Sequence, residues 1–309
     1  MESSLNKYGT NILKISQTQR GIILNISENN AQCVTKVLLT HDMEGNDITQ
    51  RHEIVLVSTL NVSKDIYDEG TVVLLSNNTT DTREDNVEND FAYNIFCSLY
   101  KDTSKLLGAK EPLDEKEPLD EKEPLDENII KVIGINPLLA VELMESAIEK
   151  NLIWLLQNVK EIHRYKTLTL EDKINSTFSF IGIGNDDIPF IIEVANVSDV
   201  EYDEGDNCND PPSLVAYYPS KVETEIKTMI KRIEDLSTIC KESNIRCIIG
   251  YVIETDGVNY LDLNRNNAAY HNAVKNAVEV GVLIVSLMVK WDMYGYSRFE
   301  TDRVPVVRP

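Results

Sequence analysis

The chain is short of cysteine, histidine, basic charge and long apolar runs, and each shortage closes off a class of protein. Its 309 residues hold five cysteines, Cys33, Cys97, Cys208, Cys240 and Cys247. They are odd in number and scattered, with no C-x-x-C, so neither a zinc ribbon nor a thioredoxin-type site is encoded. Reduced thiols fit a cytoplasmic or nuclear compartment. The four histidines, His41, His52, His163 and His271, are too dispersed for any pair to have metal-ligand spacing, and each reads as a surface or partly buried polar residue. No apolar stretch reaches the roughly 18 residues a membrane span needs. The opening MESSLNKYGTNILK carries no apolar run of the signal-peptide kind, so the sequons at Asn25, Asn61 and Asn78 read as incidental. Lysine and arginine total 30 against 51 acids, a formal net charge of -21. A protein that grips phosphates shows a basic face. This balance argues against a broad one, leaves room only for a local strip, and keeps the chain soluble. There is no G-x-S-x-G, so an esterase elbow is unsupported. GIGND at Gly182 is too short for a dinucleotide loop and runs into a turn and another strand.

What is present divides the chain in three. Residues 1–100 are β-rich: GIILNI (21–26), CVTKVLL (33–39), HEIVLVSTL (52–60) and TVVLLS (71–76) are β-branched runs between polar turns, a spacing that fits a small barrel or sandwich. A polar, acidic loop (77–90) follows, then FAYNIFCSLYKDTSKLL, which reads as a helix. Residues 101–128 form an acidic linker built on three tandem KEPLDE hexamers (110–127), nine acids against three lysines. A proline in every copy breaks helix and sheet, and the stretch reads as a flexible, self-repelling spacer. Its leucines, Leu113, Leu119 and Leu125, are the anchors a docking peptide would use.

Residues 129–309 alternate helices and strands. NIIKVIGI is a strand. PLLAVELMESAIEKNLIWLL is apolar at helical spacing and opens on Pro137, a good first-turn residue. FSFIGIG and PFIIEVANV are strands joined by the turn Asn185-Asp186-Asp187. KVETEIKTMIKRIEDLSTICKES is amphipathic, IRCIIGYVIET is a buried strand, NAAYHNAVKNAVEVG is a helix closed by Gly281, and VLIVSLMVKW is a last strand. The fold class is α+β, with a mixed sheet flanked by helices in this part. In the second helix Lys227, Lys231 and Arg232 sit among Glu223, Glu225, Glu234 and Asp235, an ordinary mixed-charge surface. Tyr217-Tyr218 could stack on bases or pack a strand edge.

The order of these segments resembles the sugar-fermentation-stimulation (SfsA) family across nearly the whole chain. GINPLLAVELMESAIEKNLI, with Gly134, Asn136, Leu139, Leu143, Glu145 and Ala147 in register, resembles the family's glycine-valine-asparagine strand end and helix. STFSF (176–180) resembles its Ser-Arg-hydrophobic-Asp-Phe strand, and IIEVANV (191–197) its Glu-Val-Lys-Asn/Ser-Val strand. AYYPSKVETEIKTMIKRIEDL and the strand-helix-strand unit from YVIET to VLIVSL continue the series; DEGTVVLLSN in the first half matches more weakly. The resemblance implies an N-terminal barrel like an oligonucleotide-binding (OB) fold and a C-terminal PD-(D/E)xK, restriction-endonuclease-like domain.

In such nucleases an Asp and a Glu on adjacent strands hold a divalent metal, usually Mg²⁺. A Lys two residues after the Glu faces the same pocket. The metal generates hydroxide and the ammonium meets developing charge. Against that pattern the chain keeps Glu193, has Ser179 at the Asp position and has Ala195 at the Lys position. The family's Pro-Asn-Arg is Ala140-Val141-Glu142, its Phe-Pro-Asp is Tyr218-Pro219-Ser220, its Thr-Glu-Arg-Gly is Glu223-Thr224-Glu225-Ile226, and its Gln is Glu254. Its Cys-Pro-Asn-Thr-Gly-Arg stretch falls on residues 57–62.

Three readings stand. One is a catalytically degenerate pseudonuclease that binds a protein partner or, weakly, nucleic acid, with no cofactor. A second is a Mg²⁺-dependent DNA or RNA nuclease with rearranged ligands, Glu193 and Asp187 first among them, with Asp186, Glu201, Asp203, Glu204 and Asp206 in reserve. The third is a scaffold whose handle is the acidic repeat. The Asp- and Asn-rich stretch after residue 197 lacks the order of a calcium loop. Asn, Ile and Lys usage points to an AT-rich genome, such as that of a microbial eukaryote or large DNA virus.

Overall fold

The computed structural model describes residues 7–15, 18–29, 32–59, 71–77, 93–101, 130–170, 174–203, 213–219, 223–263 and 267–307. The KEPLDE repeat, Glu204, Asp206 and Cys208 lie outside them. Strands β1 (Asn11–Lys14), β2 (Thr18–Asn29), β3 (Gln32–His41), β4 (Ile54–Thr59), β5 (Val72–Asn77), β6 (Tyr93–Lys101) and β7 (Ile130–Gly134) precede helix α1 (Pro137–Glu149). Then come β8 (Glu161–Leu170), β9 (Ile174–Ile183), β10 (Pro189–Val197), β11 (Asp199–Asp203), β12 (Ser213–Tyr217), α2 (Glu223–Glu242), β13 (Arg246–Ile253), β14 (Tyr260–Asp262), α3 (Ala268–Glu279), β15 (Leu283–Trp291), β16 (Tyr296–Thr301) and β17 (Val306–Val307).

The chain divides into two compact units. One takes in residues 14–136 and 291–296; the other residues 1–13, 137–290 and 297–309. This differs from the boundaries expected at 100 and 129. Strand β7 pairs with β6 through Ser98–Ile133 and Leu99–Val132, so the first unit reaches Asn136, while residues 7–13 belong with the second.

The first unit is a six-stranded sheet in the order β4-β3-β2-β5-β6-β7, with one further parallel pair, Val57 with Tyr93, between β4 and β6. Alternating Ile23, Val37, Leu39, Val57, Val73 and Leu75 bury its inner face. The segment read as a helix is strand β6. Tyr93, Phe96 and Tyr100 are spaced three and four apart and mimic a helical stripe, but pairing with β5 on one side and β7 on the other overrides that local signal.

The second unit is built on a seven-stranded mixed sheet, β1-β16-β15-β13-β10-β9-β8. Strands β10, β13 and β15 run parallel; β8, β9 and β10 form antiparallel hairpins. Parallel neighbours need crossovers, and α2 and α3 supply them. Strand alternation sorts the two faces. Ile191, Ala195 and Val197 of β10 and Cys247, Ile249, Tyr251 and Ile253 of β13 pack with Ile233, Leu236, Tyr270 and Val274 of α2 and α3. On the other face Ile192 and Gly250 meet Met144 of α1. The caps follow local chemistry: the Asn267 side chain accepts the Tyr270 N–H at the start of α3, and Gly281 beyond its end takes φ 104°. A second sheet, β11-β12-β14-β17, forms in part from the acidic stretch that reads as loop. Among the described residues no helix is long and apolar enough to cross a membrane.

Candidate functional site

Glu193 lies mid-strand on β10, on the face covered by α2 and α3, and only 1% of it is exposed. A carboxylate stripped of water must find donors or neutralise. It finds three. One oxygen accepts the Ser179 backbone N–H at 3.1 Å and the Ser179 hydroxyl at 3.3 Å. The other pairs with the guanidinium of Arg232, carried by α2. The Ser179 hydroxyl oxygen in turn accepts the Val194 N–H at 2.9 Å. Burial pushes the Glu193 carboxyl above its ordinary range, while Arg232 and the Ser179 donors pull it back.

A kink helps place Ser179 here. Ile174, Ser176 and Phe178 of β9 alternate toward α2, Ser176 donating to Asp235 on that helix. Strict alternation would turn Ser179 away, yet it too points inward, to Glu193. The residue facing it on the edge strand β8 is Tyr165, with φ 49°; the β8–β9 ladder pairs Arg164 with Phe180 and Lys166 with Phe178 and skips between. A bulky side chain in left-handed backbone is strained, and the strain sits across from Ser179.

Beside Glu193 stands a tyrosine cluster. The hydroxyls of Tyr251 and Tyr270, both fully buried, lie 2.6 Å apart, and Tyr218 meets both rings edge-on at 5.6 and 5.2 Å between centroids. Burial raises the Tyr270 phenol well above its ordinary value, with the Glu193 charge adding to the rise. Of the two readings of the Tyr217-Tyr218 pair, packing is the one realised, since Tyr217 is buried and Tyr218 packs on the other rings.

The other acids singled out in the sequence are placed elsewhere. Asp187 lies at the tip of the β9–β10 hairpin, paired with Lys160 at 2.5 Å, and Asp186 beside it pairs with Arg246 at 2.5 Å. At about 3.3 Å per residue, the four steps along the strand from Pro189 to Glu193 alone span about 13 Å, so the structure does not bring Asp187 to Glu193. Glu201 and Asp203 are exposed on β11, Asp203 accepting from the Tyr260 hydroxyl at 2.9 Å. Ala195 is buried in the core, so no ammonium stands at that position. Glu254 is fully buried at the end of β13. Among the described residues no three His, Cys, Asp or Glu side chains cluster as a metal ion requires. Hard cations take six or more oxygens; one carboxylate, one hydroxyl and a guanidinium do not fit one.

Arg232 is the residue the sequence hides. Its side chain is about one-third exposed, yet it bears on the buried strand carboxylate opposite α2. The signal was its position: Met229, Ile233 and Leu236 are the buried stripe of α2, and Arg232 falls at that stripe's edge, where a long side chain reaches beneath the helix.

Fold and site together define a mixed sheet flanked by helices, with the buried Glu193–Arg232 ion pair on the face that α2 and α3 cover. The structure of Pyrococcus furiosus SfsA in complex with Ca²⁺ is similar, with a TM-score of 0.66 and 13% identity over 96% of this chain and 99% of that one. At that identity the likeness shows the fold. A complex of EndoMS with double-stranded DNA aligns with a TM-score of 0.27 and 10% identity over 93% and 89% of the two chains, too low to carry an argument. No protein-family model matches the chain, and no curated protein matches it in sequence.

Proposed function

We propose that this chain is a catalytically degenerate member of the SfsA family, a pseudonuclease that binds a protein partner or, weakly, nucleic acid, and uses no metal. The observation that carries the reading is the pairing of Glu193 with Arg232 and Ser179. The guanidinium supplies the positive charge that a metal would bring, and a second cation there would meet repulsion and too few oxygens. Arg232 is also a poor substitute for the lost ammonium, because its charge is engaged with the Glu193 carboxylate through Nη1.

In the first unit, the order β4-β3-β2-β5-β6 with the parallel pair Val57–Tyr93 supports an OB-like barrel, a fold suited to binding. The alternative, a Mg²⁺-dependent nuclease with rearranged ligands, has less behind it, because Asp186 and Asp187 are tied to Arg246 and Lys160 at the hairpin tip. The scaffold alternative rests on a repeat outside the described residues.

The test is incubation of the purified chain with single- and double-stranded DNA and RNA in Mg²⁺ or Mn²⁺. The expected result is no cleavage that depends on Glu193. Cleavage that Glu193→Ala abolishes would overturn the proposal.

A further inference from the structure

We propose that Arg20, with His41, forms an oxyanion site in the first unit, fitted to a phosphoryl group. The inference is independent of the Glu193 reading. In a chain with 51 acids and 30 bases, a basic side chain rarely lacks a partner. Arg20 has no acidic one among the described residues: its Nε is sealed from solvent with no acceptor, and burial and the Tyr294 phenol are what bear on its guanidinium. A buried donor left unmade is costly, and such groups point to a missing acceptor.

The backbone is shaped for it. Arg20 pairs with His41 across β2 and β3, and the register slips between Arg20 and Gly21, the irregularity by which a strand re-aims a side chain. Gly21 cannot be replaced there, since an added Cβ would lie 2.4 Å from the Val37 side chain and 2.9 Å from the Leu38 carbonyl oxygen.

His41 faces the same place. The Thr40 hydroxyl donates to the Arg20 carbonyl at 3.3 Å and lies 3.1 Å from His41 Nδ1. Thr40 therefore accepts from Nδ1–H, which leaves Nε2 to take a proton from, or share one with, an arriving anion. The two acids near His41 are occupied by their own turns. Asp42 accepts from the Glu44 and Asn46 N–H groups at 2.9 Å each, and Asp47 from the Thr49 N–H at 2.9 Å and its hydroxyl at 2.6 Å. Tyr294, 61% exposed and close enough for its phenol to bear on the guanidinium, borders the site. A half-buried guanidinium beside an imidazole selects a tetrahedral, multiply charged oxyanion, from a free phosphate ester or from a nucleic-acid backbone.

The full chain, Arg20→Met and His41→Asn are titrated calorimetrically with inorganic phosphate, pyrophosphate and a short oligothymidylate, with Lys36→Met, an exposed lysine on the same strand as His41, as control. The site predicts binding of at least one probe, about tenfold weaker in Arg20→Met, weaker in His41→Asn and unchanged in Lys36→Met. Preference for pyrophosphate assigns a small ligand; binding of the oligonucleotide alone assigns a backbone phosphate. Without ligand, Arg20→Met is expected to melt at or above the parent, because it removes an unsatisfied donor. Failure of all three probes, equal binding by Arg20→Met, or a marked loss of its unliganded Tm each overturns the site.

Discussion

At the scale of the residue, Arg232 is the partner that lets a carboxylate with nearly no solvent contact remain on β10. Removing one member of a buried pair strands the other. Arg232→Met is expected to cost about 3 kcal/mol, the low end of the usual range, because Arg232 is itself 36% exposed. The double variant Glu193→Gln/Arg232→Met should recover most of that loss, and a denaturant double-mutant cycle reads the difference. Titration gives a second check. Burial already lifts Glu193 above the ordinary value of 4.5 against the pull of Arg232. A carboxyl raised on folding stabilises most fully below its unfolded value, and that contribution is lost as pH rises through the folded one. Carbon-detected NMR should place Glu193 above 4.5 in the parent and higher still in Arg232→Met; a fall in the variant would contradict the assignment of Arg232 as the opposing charge.

At the scale of the element, the β8–β9–β10 hairpins position the site, and Gly182 is what lets them close. A Cβ there would lie 2.3 Å from the Glu161 carbonyl oxygen and 2.4 Å from the Phe190 ring. Gly182→Ala is expected to destabilise by about 2 kcal/mol or more, measured by denaturant midpoint with the slope unchanged. Strands such as β9, β10, β13 and β15 were legible because two-face burial writes long β-branched runs, and period-two spacing placed Glu193 and Ala195 on one face. Ser179 was legible by position but not by direction, since the Tyr165 kink breaks alternation in a way no local pattern announces. Strand β8 was missed because its edge position leaves it charged, EIHRYKTLTL, β11 because its acids, DVEYD, give it the composition of a loop, and β12 because a buried five-residue run, SLVAY, directly follows that acidic stretch. Arg232 was missed because helix-surface and helix-margin arginines look alike until the strand opposite is known.

At the scale of the whole molecule, the balance of -21 means that acids repel one another in every compact state. Moderate NaCl should screen this and raise the thermal midpoint by a few degrees; a fall would indicate that surface ion pairs such as Lys160–Asp187 outweigh the repulsion. Charge of this size also confines anion recognition to local sites such as that of Arg20. The fold is similar to that of Pyrococcus furiosus SfsA, and on its seven-stranded sheet a guanidinium stands against Glu193. The most direct measurement is a Mn²⁺ titration of the parent and of Glu193→Gln, followed by the electron paramagnetic resonance of free ion. An Arg232-occupied centre predicts the same weak binding by both proteins. A single tight site in the parent that disappears in Glu193→Gln would contradict it.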